Sequence, residues 1–202
     1  MKIFLLRHGE SVDDVEDAYG GIADYPLTDS GRKTAKELAS KLMSSGIEIL
    51  YSSPYKRAFE TAEIVSKTIN CDIETLEDLR ERNSYGVLSG VNKAKAKEIF
   101  RTVFSGLKGK PGDYYSDELV PGAEDLKDFD KRVRNAFDTV IKSAAKFKTI
   151  GIVTHGNVTR SIYKNVLNVA GKIDLDLLAV TVIDYSAGNL VIERKEGIEI
   201  KG

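Results

Sequence analysis

The chain contains two histidines, and each directly follows a short apolar run and precedes a glycine. The first run, Ile3-Phe4-Leu5-Leu6, leads through Arg7 into His8-Gly9. The second, Ile150-Gly151-Ile152-Val153, leads through Thr154 into His155-Gly156-Asn157. Continuous apolar runs this short predict strands buried on both faces. In open α/β sheets, ligands are held at the carboxyl ends of such strands. A glycine there lets the backbone turn sharply and come close to a bound group. One polar strand ending is ordinary; two that use the full histidine complement point to a site.

A third run, Ile49-Leu50-Tyr51-Ser52, leads into Ser53-Pro54-Tyr55-Lys56-Arg57. Ser53 is suited to cap a helix and Pro54 to begin it. Arg57 then falls in the first turn, near the positive end of the helix dipole. Two imidazoles and two guanidiniums, from Arg7 and Arg57, brought together at strand ends make a site for a phosphate.

The remaining chain alternates strands with helices. Residues 12–27 read as a polar surface loop. A helix over 29–44 follows, capped by Thr28 and ended by Gly46, with Ala35, Leu38, Ala39 and Leu42 as its apolar stripe. Strand 48–52, helix 54–69 and strand 72–75 come next, then a charged segment over 77–90 and a lysine-rich helix over 92–104. Residues 105–122 lack periodicity and hold several glycines and two prolines; loops of that length are often functional lids. A helix over 124–147 buries Phe129, Val133, Ala136, Phe137, Val140 and Ile141. Strand 149–154 leads into helix 158–167. Strands 179–185 and 190–194, joined by Ser186-Ala187-Gly188-Asn189, close the chain as an edge hairpin. The expected fold is a three-layer α/β/α sandwich around a mostly parallel central sheet.

At 202 residues, a single domain over 1–202 is expected. Thirty basic and 31 acidic residues argue against a nucleic-acid binder driven by bulk charge. One cysteine, Cys71, excludes an intrachain disulfide framework and fits a reducing, cytoplasmic setting. The sequence holds no long apolar run to span a membrane, and its first residues enter a strand with no signal-peptide pattern. The terminal hairpin offers a sheet edge for self-association into a homo-oligomer.

Arg7-His8-Gly9-Glu10 resembles the signature of the histidine phosphatase superfamily, which includes the cofactor-dependent phosphoglycerate mutases. The resemblance takes in Ser52-Ser53-Pro54 with Arg57-Ala58 and Thr61-Ala62, then Leu79-Arg80-Glu81-Arg82, then Thr154-His155-Gly156-Asn157. It implies the phosphoglycerate mutase-like fold, a metal-independent phosphoryl transfer and a phosphohistidine intermediate. By this resemblance His8 is the nucleophile, and Glu81, rather than Glu10, is the proton donor. Arg7, Arg57, His155 and Asn157 bind the phosphate, with His155 also counted among the catalytic groups. Ser11, Arg82 and Lys93 are candidate substrate contacts. A phosphomonoester carries about two negative charges near neutrality, and a neutral imidazole attacks it without the repulsion an anionic nucleophile meets.

The acceptor is water or a sugar acid. Glu81-Arg82, Gly90-Val91-Asn92-Lys93 and Gly156-Asn157 resemble the mutase branch, which would use 2,3-bisphosphoglycerate. Against it, Asp13-Asp14 stands where the mutases carry Trp-Asn, tryptophan is absent, and Arg101 stands without a paired arginine. Hydrolysis of a small phosphorylated metabolite, without a cofactor, is the favoured expectation. Dephosphorylation of phosphohistidine or phosphotyrosine on proteins, or non-catalytic binding of phosphorylated ligands, are the further alternatives.

Overall fold

A computed structural model describes residues 1–101, 105 and 120–202. Its strands are β1 (Lys2–Arg7), β2 (Ile49–Ser52), β3 (Asp72–Thr75), β4 (Thr149–Thr154), β5 (Lys172–Ser186) and β6 (Asn189–Lys201). They form one sheet in the order β3-β2-β4-β1-β5-β6. The pairs β3–β2, β2–β4 and β4–β1 are parallel, whereas β5 runs antiparallel to β1 and to β6.

Alternation along β1 shows how the three layers arise. Successive side chains of a strand point to opposite faces. Ile3 and Leu5 therefore join one core, with Phe129, Val133, Phe137 and Val140 of helix α5 (Leu126–Ser143) and Ile162 of helix α6 (Gly156–Asn165). Phe4 and Leu6 join the other, with Leu38 and Ala39 of α2 (Asp29–Lys41) and Ala58, Ala62 and Val65 of α3 (Lys56–Ile69). Both faces of the sheet are covered, so its inner strands are apolar throughout. The fold is α/β with a mainly parallel sheet, as expected.

Several boundaries differ from the sequence expectation, each for a local reason. Ser53 does not cap α3: Tyr55 stands at that position without a side-chain bond, and helix begins at Lys56. The Ser53 hydroxyl accepts from Tyr55 N–H at 3.3 Å and is also bonded to His155. Residues 12–27 are not a loose surface loop. They hold helix α1 (Val12–Val15), and Ala18, Tyr19 and Leu27 are buried. This segment is stitched to the chain beyond it by Tyr19 N–H donating to Val91 O and Gly90 N–H donating to Tyr19 O. Helix α2 ends at Lys41, before Gly46, which adopts a left-handed conformation at the close of the turn that follows. Helix α4 (Lys93–Ile99) is capped by Asn92; its expected continuation over 102–104 lies outside the described residues. So does most of 105–122, the expected lid.

The terminal hairpin is longer than its apolar stretch. Its turn has Ala187 and Gly188 at positive φ, which suits a two-residue loop between twisted strands. At the other end, β5 and β6 continue past an irregularity between Leu175 and Val180. The added length alternates Ile173, Leu175, Ile198 and Ile200 with Asp174 and Glu199, a strand period that continues beyond the expected limits. Among the described residues, no helix is long and apolar enough to cross a membrane.

Helix α2 is docked onto the turn after β1. Thr28 caps it by accepting from Gly31 N–H at 2.8 Å, and Thr28 N–H donates to Glu10 O at 3.0 Å. A Cβ on Gly31 would lie 2.1 Å from the Glu10 carbonyl oxygen. Gly31→Ala should therefore cost about 1–3 kcal/mol of stability. Thermal unfolding should show a midpoint lower by roughly 2–4 °C for each kcal/mol; an unchanged midpoint would rule out this close approach.

Candidate active site

The parallel register delivers both histidines to one end of the sheet. Arg7 is opposite Thr154, and Ser52 is opposite Val153. The ladder continues one residue further on each side, with His8 N–H donating to Thr154 O and Ser53 N–H to Val153 O. His8, Ser53 and His155 thus follow three adjacent strands at their carboxyl ends. The two imidazoles meet with ring centroids 5.1 Å apart, at an angle of 61°.

The His8 ring is fixed in one protonation geometry. Its Nδ1 lies 2.7 Å from Gly9 O. A carbonyl oxygen only accepts, so Nδ1 carries the hydrogen, and in the neutral ring Nε2 keeps its lone pair. The Gly9 peptide is itself held: its N–H donates to Thr61 Oγ1, which in turn donates to Arg57 O at 2.7 Å. His155, fully buried, shares a 2.7 Å hydrogen bond between Nε2 and Ser53 Oγ. Its Nδ1 has no partner among the described residues.

Two guanidiniums flank these rings. Arg57 is 2% exposed and donates through Nη1 to Ala23 O at 2.8 Å and through Nη2 to Gly21 O at 2.9 Å. Arg7 donates through Nη1 to Leu175 O at 2.6 Å, while its Nε is buried with no partner among the described residues. Burial pushes His8 well below its ordinary pKa, and the charges of Arg57 and Arg7 push the same way against the Gly9 bond. His155 is lowered in the same manner, first by burial and then by Arg57. Burial also lowers Arg7, opposed by the nearby Glu81 carboxylate. The result is an uncharged imidazole among fixed positive charges.

Glu81 reaches this cluster from the segment after β3. One oxygen accepts from Arg82 N–H at 2.8 Å and the other from Asn157 N–H at 3.2 Å, at the amino end of α6. Thr154 Oγ1 donates to Leu79 O at 2.7 Å and ties the same segment to the end of β4. Arg7, His8, Arg57, Glu81, His155 and Asn157 are therefore brought together. Arg82 supports from one side, its Nε and Nη2 donating to Glu124 O. Ser11 is turned to its own helix, its hydroxyl donating to Asp13 and Asp14. Lys93 is paired with Asp17 at 2.6 Å.

Some contributors have no site role assigned from sequence, although Ser53, Thr61 and Thr154 stand in the motifs that carry the resemblance. Thr61 stands four residues after Arg57 on one helix face, a spacing that could have flagged it. Ser53 and Thr154 sit at strand ends, where a capping or edge role is the usual assignment. Leu175 acts through a backbone carbonyl and leaves no side-chain signal. Among the described residues, no group of three or more His, Cys, Asp or Glu side chains is placed to hold a metal ion.

Both histidines are depressed in the folded chain relative to the ordinary value of 6.5. The unfolded chain thus binds more protons as pH drops below that value, so stability is full above it and is lost on acidification. Urea unfolding should show a fall in free energy from about pH 7.5 to about pH 5. The fall should be smaller in His155→Gln; an identical fall would mean that His155 is not held neutral.

The sequence matches the profile of the histidine phosphatase superfamily (branch 1) over residues 3–196. It is 29% identical to a putative phosphoserine phosphatase 2 of Hydrogenobacter thermophilus, covering 80% of this chain and 76% of the relative. It is 31% identical to a 2,3-bisphosphoglycerate-dependent phosphoglycerate mutase 2 of Bacteroides thetaiotaomicron, covering 91% of this chain and 85% of the relative. The solved structure of Bacillus stearothermophilus YhfR superposes with a TM-score of 0.82 at 26% identity, over 95% of each chain. The match spans nearly the whole chain, and the chain belongs to the histidine phosphatase superfamily as a phosphatase or a phosphoglycerate mutase.

Proposed function

We propose that the protein hydrolyses a small phosphorylated metabolite through a phosphohistidine on His8. The observation that carries this reading is the 2.7 Å bond from His8 Nδ1 to Gly9 O, which leaves the Nε2 lone pair directed away from the backbone. In the first step Nε2 attacks phosphorus and the bond to the alcohol oxygen breaks. The carboxyl of Glu81 gives its proton to that oxygen. In the second step Glu81 takes a proton from water, the hydroxide oxygen bonds to phosphorus, and the P–N bond breaks to release inorganic phosphate. Arg7, Arg57 and His155 hold the non-bridging oxygens, and the amino end of α6 at Asn157 adds a positive dipole. These fixed donors stabilise the charge that develops in transfer.

The alternative is a 2,3-bisphosphoglycerate-dependent phosphoglycerate mutase, the activity in the name of the Bacteroides relative. Two of the residues that resemble that branch, Asn92 and Lys93, are engaged within the chain. Asn92 accepts from Ala94 and Lys95 N–H as the cap of α4 and donates to Glu16 O, and Lys93 pairs with Asp17. Their presence is thus accounted for without a sugar-acid substrate. This supports water as the acceptor.

A paired assay tests the choice: phosphate release from a panel of phosphomonoesters, and interconversion of 3- and 2-phosphoglycerate with and without 2,3-bisphosphoglycerate. Fast release without interconversion is expected. Cofactor-stimulated interconversion that outruns release would overturn the hydrolytic reading. Glu81→Gln should slow alkyl phosphates by about 10²- to 10⁴-fold and p-nitrophenyl phosphate, with its better leaving group, far less. Equal loss on both would remove Glu81 as proton donor. Arg57→Lys keeps the charge but cannot reproduce the planar fork on Gly21 and Ala23. Its kcat/KM should fall by at least tenfold, and a value within twofold of the parent would contradict the clamp.

A further inference from the structure

Ser53 and His155 meet where β2 and β4 end, and the hydrogens of that contact can be counted. The Ser53 backbone is held from two sides, its N–H donating to Val153 O at 3.0 Å and its carbonyl accepting from Ser52 Oγ at 2.9 Å. Ser53 is fully buried. Its hydroxyl oxygen has two partners among the described residues, Tyr55 N–H at 3.3 Å and His155 Nε2 at 2.7 Å. A backbone N–H only donates, so towards Tyr55 the oxygen accepts.

The neutral His155 ring carries one proton, on either nitrogen. With that proton on Nε2, Ser53 Oγ would accept a second time, and its own O–H would be buried without an acceptor. Nδ1, which has no partner among the described residues, would be an unpaired lone pair as well. With the proton on Nδ1, the Ser53 O–H donates to Nε2, and the hydroxyl is satisfied as donor and as acceptor. Only the Nδ1–H is then left over. Each buried polar group without a partner costs free energy, so the second arrangement is favoured. A doubly protonated ring is opposed by burial and by the Arg57 charge, which both lower the pKa of His155.

The hydrogen left over suits the ligand of this cluster. Non-bridging oxygens of a phosphate dianion carry lone pairs and no hydrogen, so they attract an N–H and repel a bare ring nitrogen. The His155 ring is also confined, with the His8 ring centroid at 5.1 Å and the Tyr55 ring edge-on at 5.6 Å.

Resting on the phosphoryl-transfer reading above, we propose that Ser53 is a positioning residue that holds the proton of His155 on Nδ1, from which it is donated to a phosphoryl oxygen. Both imidazoles of the site are then the same tautomer and use opposite nitrogens. His8, with Nδ1–H on Gly9 O, offers the Nε2 lone pair. His155, with Nε2 on Ser53, offers the Nδ1–H. A backbone carbonyl makes one ring the nucleophile, and a hydroxyl makes the other a donor.

The chain has two histidines, so long-range ¹H–¹⁵N correlation spectra of the ¹⁵N-labelled protein read both tautomers, and His155→Gln assigns the signals. The parent should show a protonated Nδ1 and an unprotonated Nε2 on each ring. Ser53→Ala removes only the hydroxyl oxygen. In it the His155 signals should move to the Nε2–H form or to a mixture, while His8 stays as in the parent and reports that the site is folded. Its kcat/KM for p-nitrophenyl phosphate should fall about tenfold or more. Ser53→Thr keeps the hydroxyl and should restore the parent tautomer and a rate within threefold. A parent His155 protonated on Nε2 overturns the proposal, as does a Ser53→Ala protein in which His155 keeps the parent tautomer. A changed tautomer with kcat/KM within twofold of the parent overturns it too, as does a folded Ser53→Thr protein with the alanine variant's tautomer. A parent that hydrolyses no phosphomonoester overturns the phosphoryl-transfer reading instead, and the spectra still decide which nitrogen of His155 bears the proton.

Discussion

Positive charge fixed around a buried, uncharged imidazole is the constraint on which the rest of this structure turns. A buried guanidinium needs hydrogen-bond partners. Arg57 finds them in the carbonyls of Gly21 and Ala23. A carboxylate would satisfy the same donors but would also cancel the charge. Carbonyl dipoles hold the group and leave its charge available to an anion. Burial depresses the pKa of His8, and the same charge pushes it further down. One arrangement thus supplies both the attraction for a phosphate and the lone pair that attacks it.

The strand order makes that arrangement accessible to a linear chain. β4 lies between β2 and β1, so three segments far apart along the chain deliver Ser53, His155 and His8 side by side. Helices α3 and α6 then start close to the same edge and contribute Arg57 and the Asn157 N–H. Glu81 enters from the segment beyond β3 and is fixed by its own neighbour and by α6. The long β5 crosses this end as well, where Leu175 O receives Arg7 and Leu178 N–H donates to His8 O. The hairpin that looked like a peripheral edge in the sequence is therefore part of the site's frame.

The elements defined by burial were legible in the sequence. The strands bearing both histidines and the stripes of α2 and α5 follow from apolar spacing, and the structure places them within a few residues of the expected limits. What escaped was fixed in good part by hydrogen bonds. Residues 12–27 are polar and acidic, and nothing in their pattern reveals that their carbonyls receive Arg57. Ser53 satisfies the requirements of a helix cap, yet its hydroxyl is bound to His155 and the helix starts later. The outer half of β5 and β6 keeps a period of two, with Ile173 and Leu175 paired to Ile200 and Ile198 on one face and Asp174 to Glu199 on the other, a pattern the shorter strand expectation leaves unused. The cluster of Arg7, His8, Arg57 and His155 was readable because each stands at a strand end or a helix start. Glu81 was reached through family resemblance, since a glutamate between two arginines in a charged segment has no distinguishing pattern of its own.

The central claim is that phosphorus bonds to His8 during turnover. The most direct measurement mixes the protein with a phosphomonoester, quenches in alkali on the millisecond scale, and maps the modified peptide by mass spectrometry. The account predicts one phosphoryl group on the peptide containing His8, stable in base, lost in acid, and decaying at the rate of phosphate release. Steady phosphate release with no phosphoryl group on His8, or with the group on another residue, would contradict it.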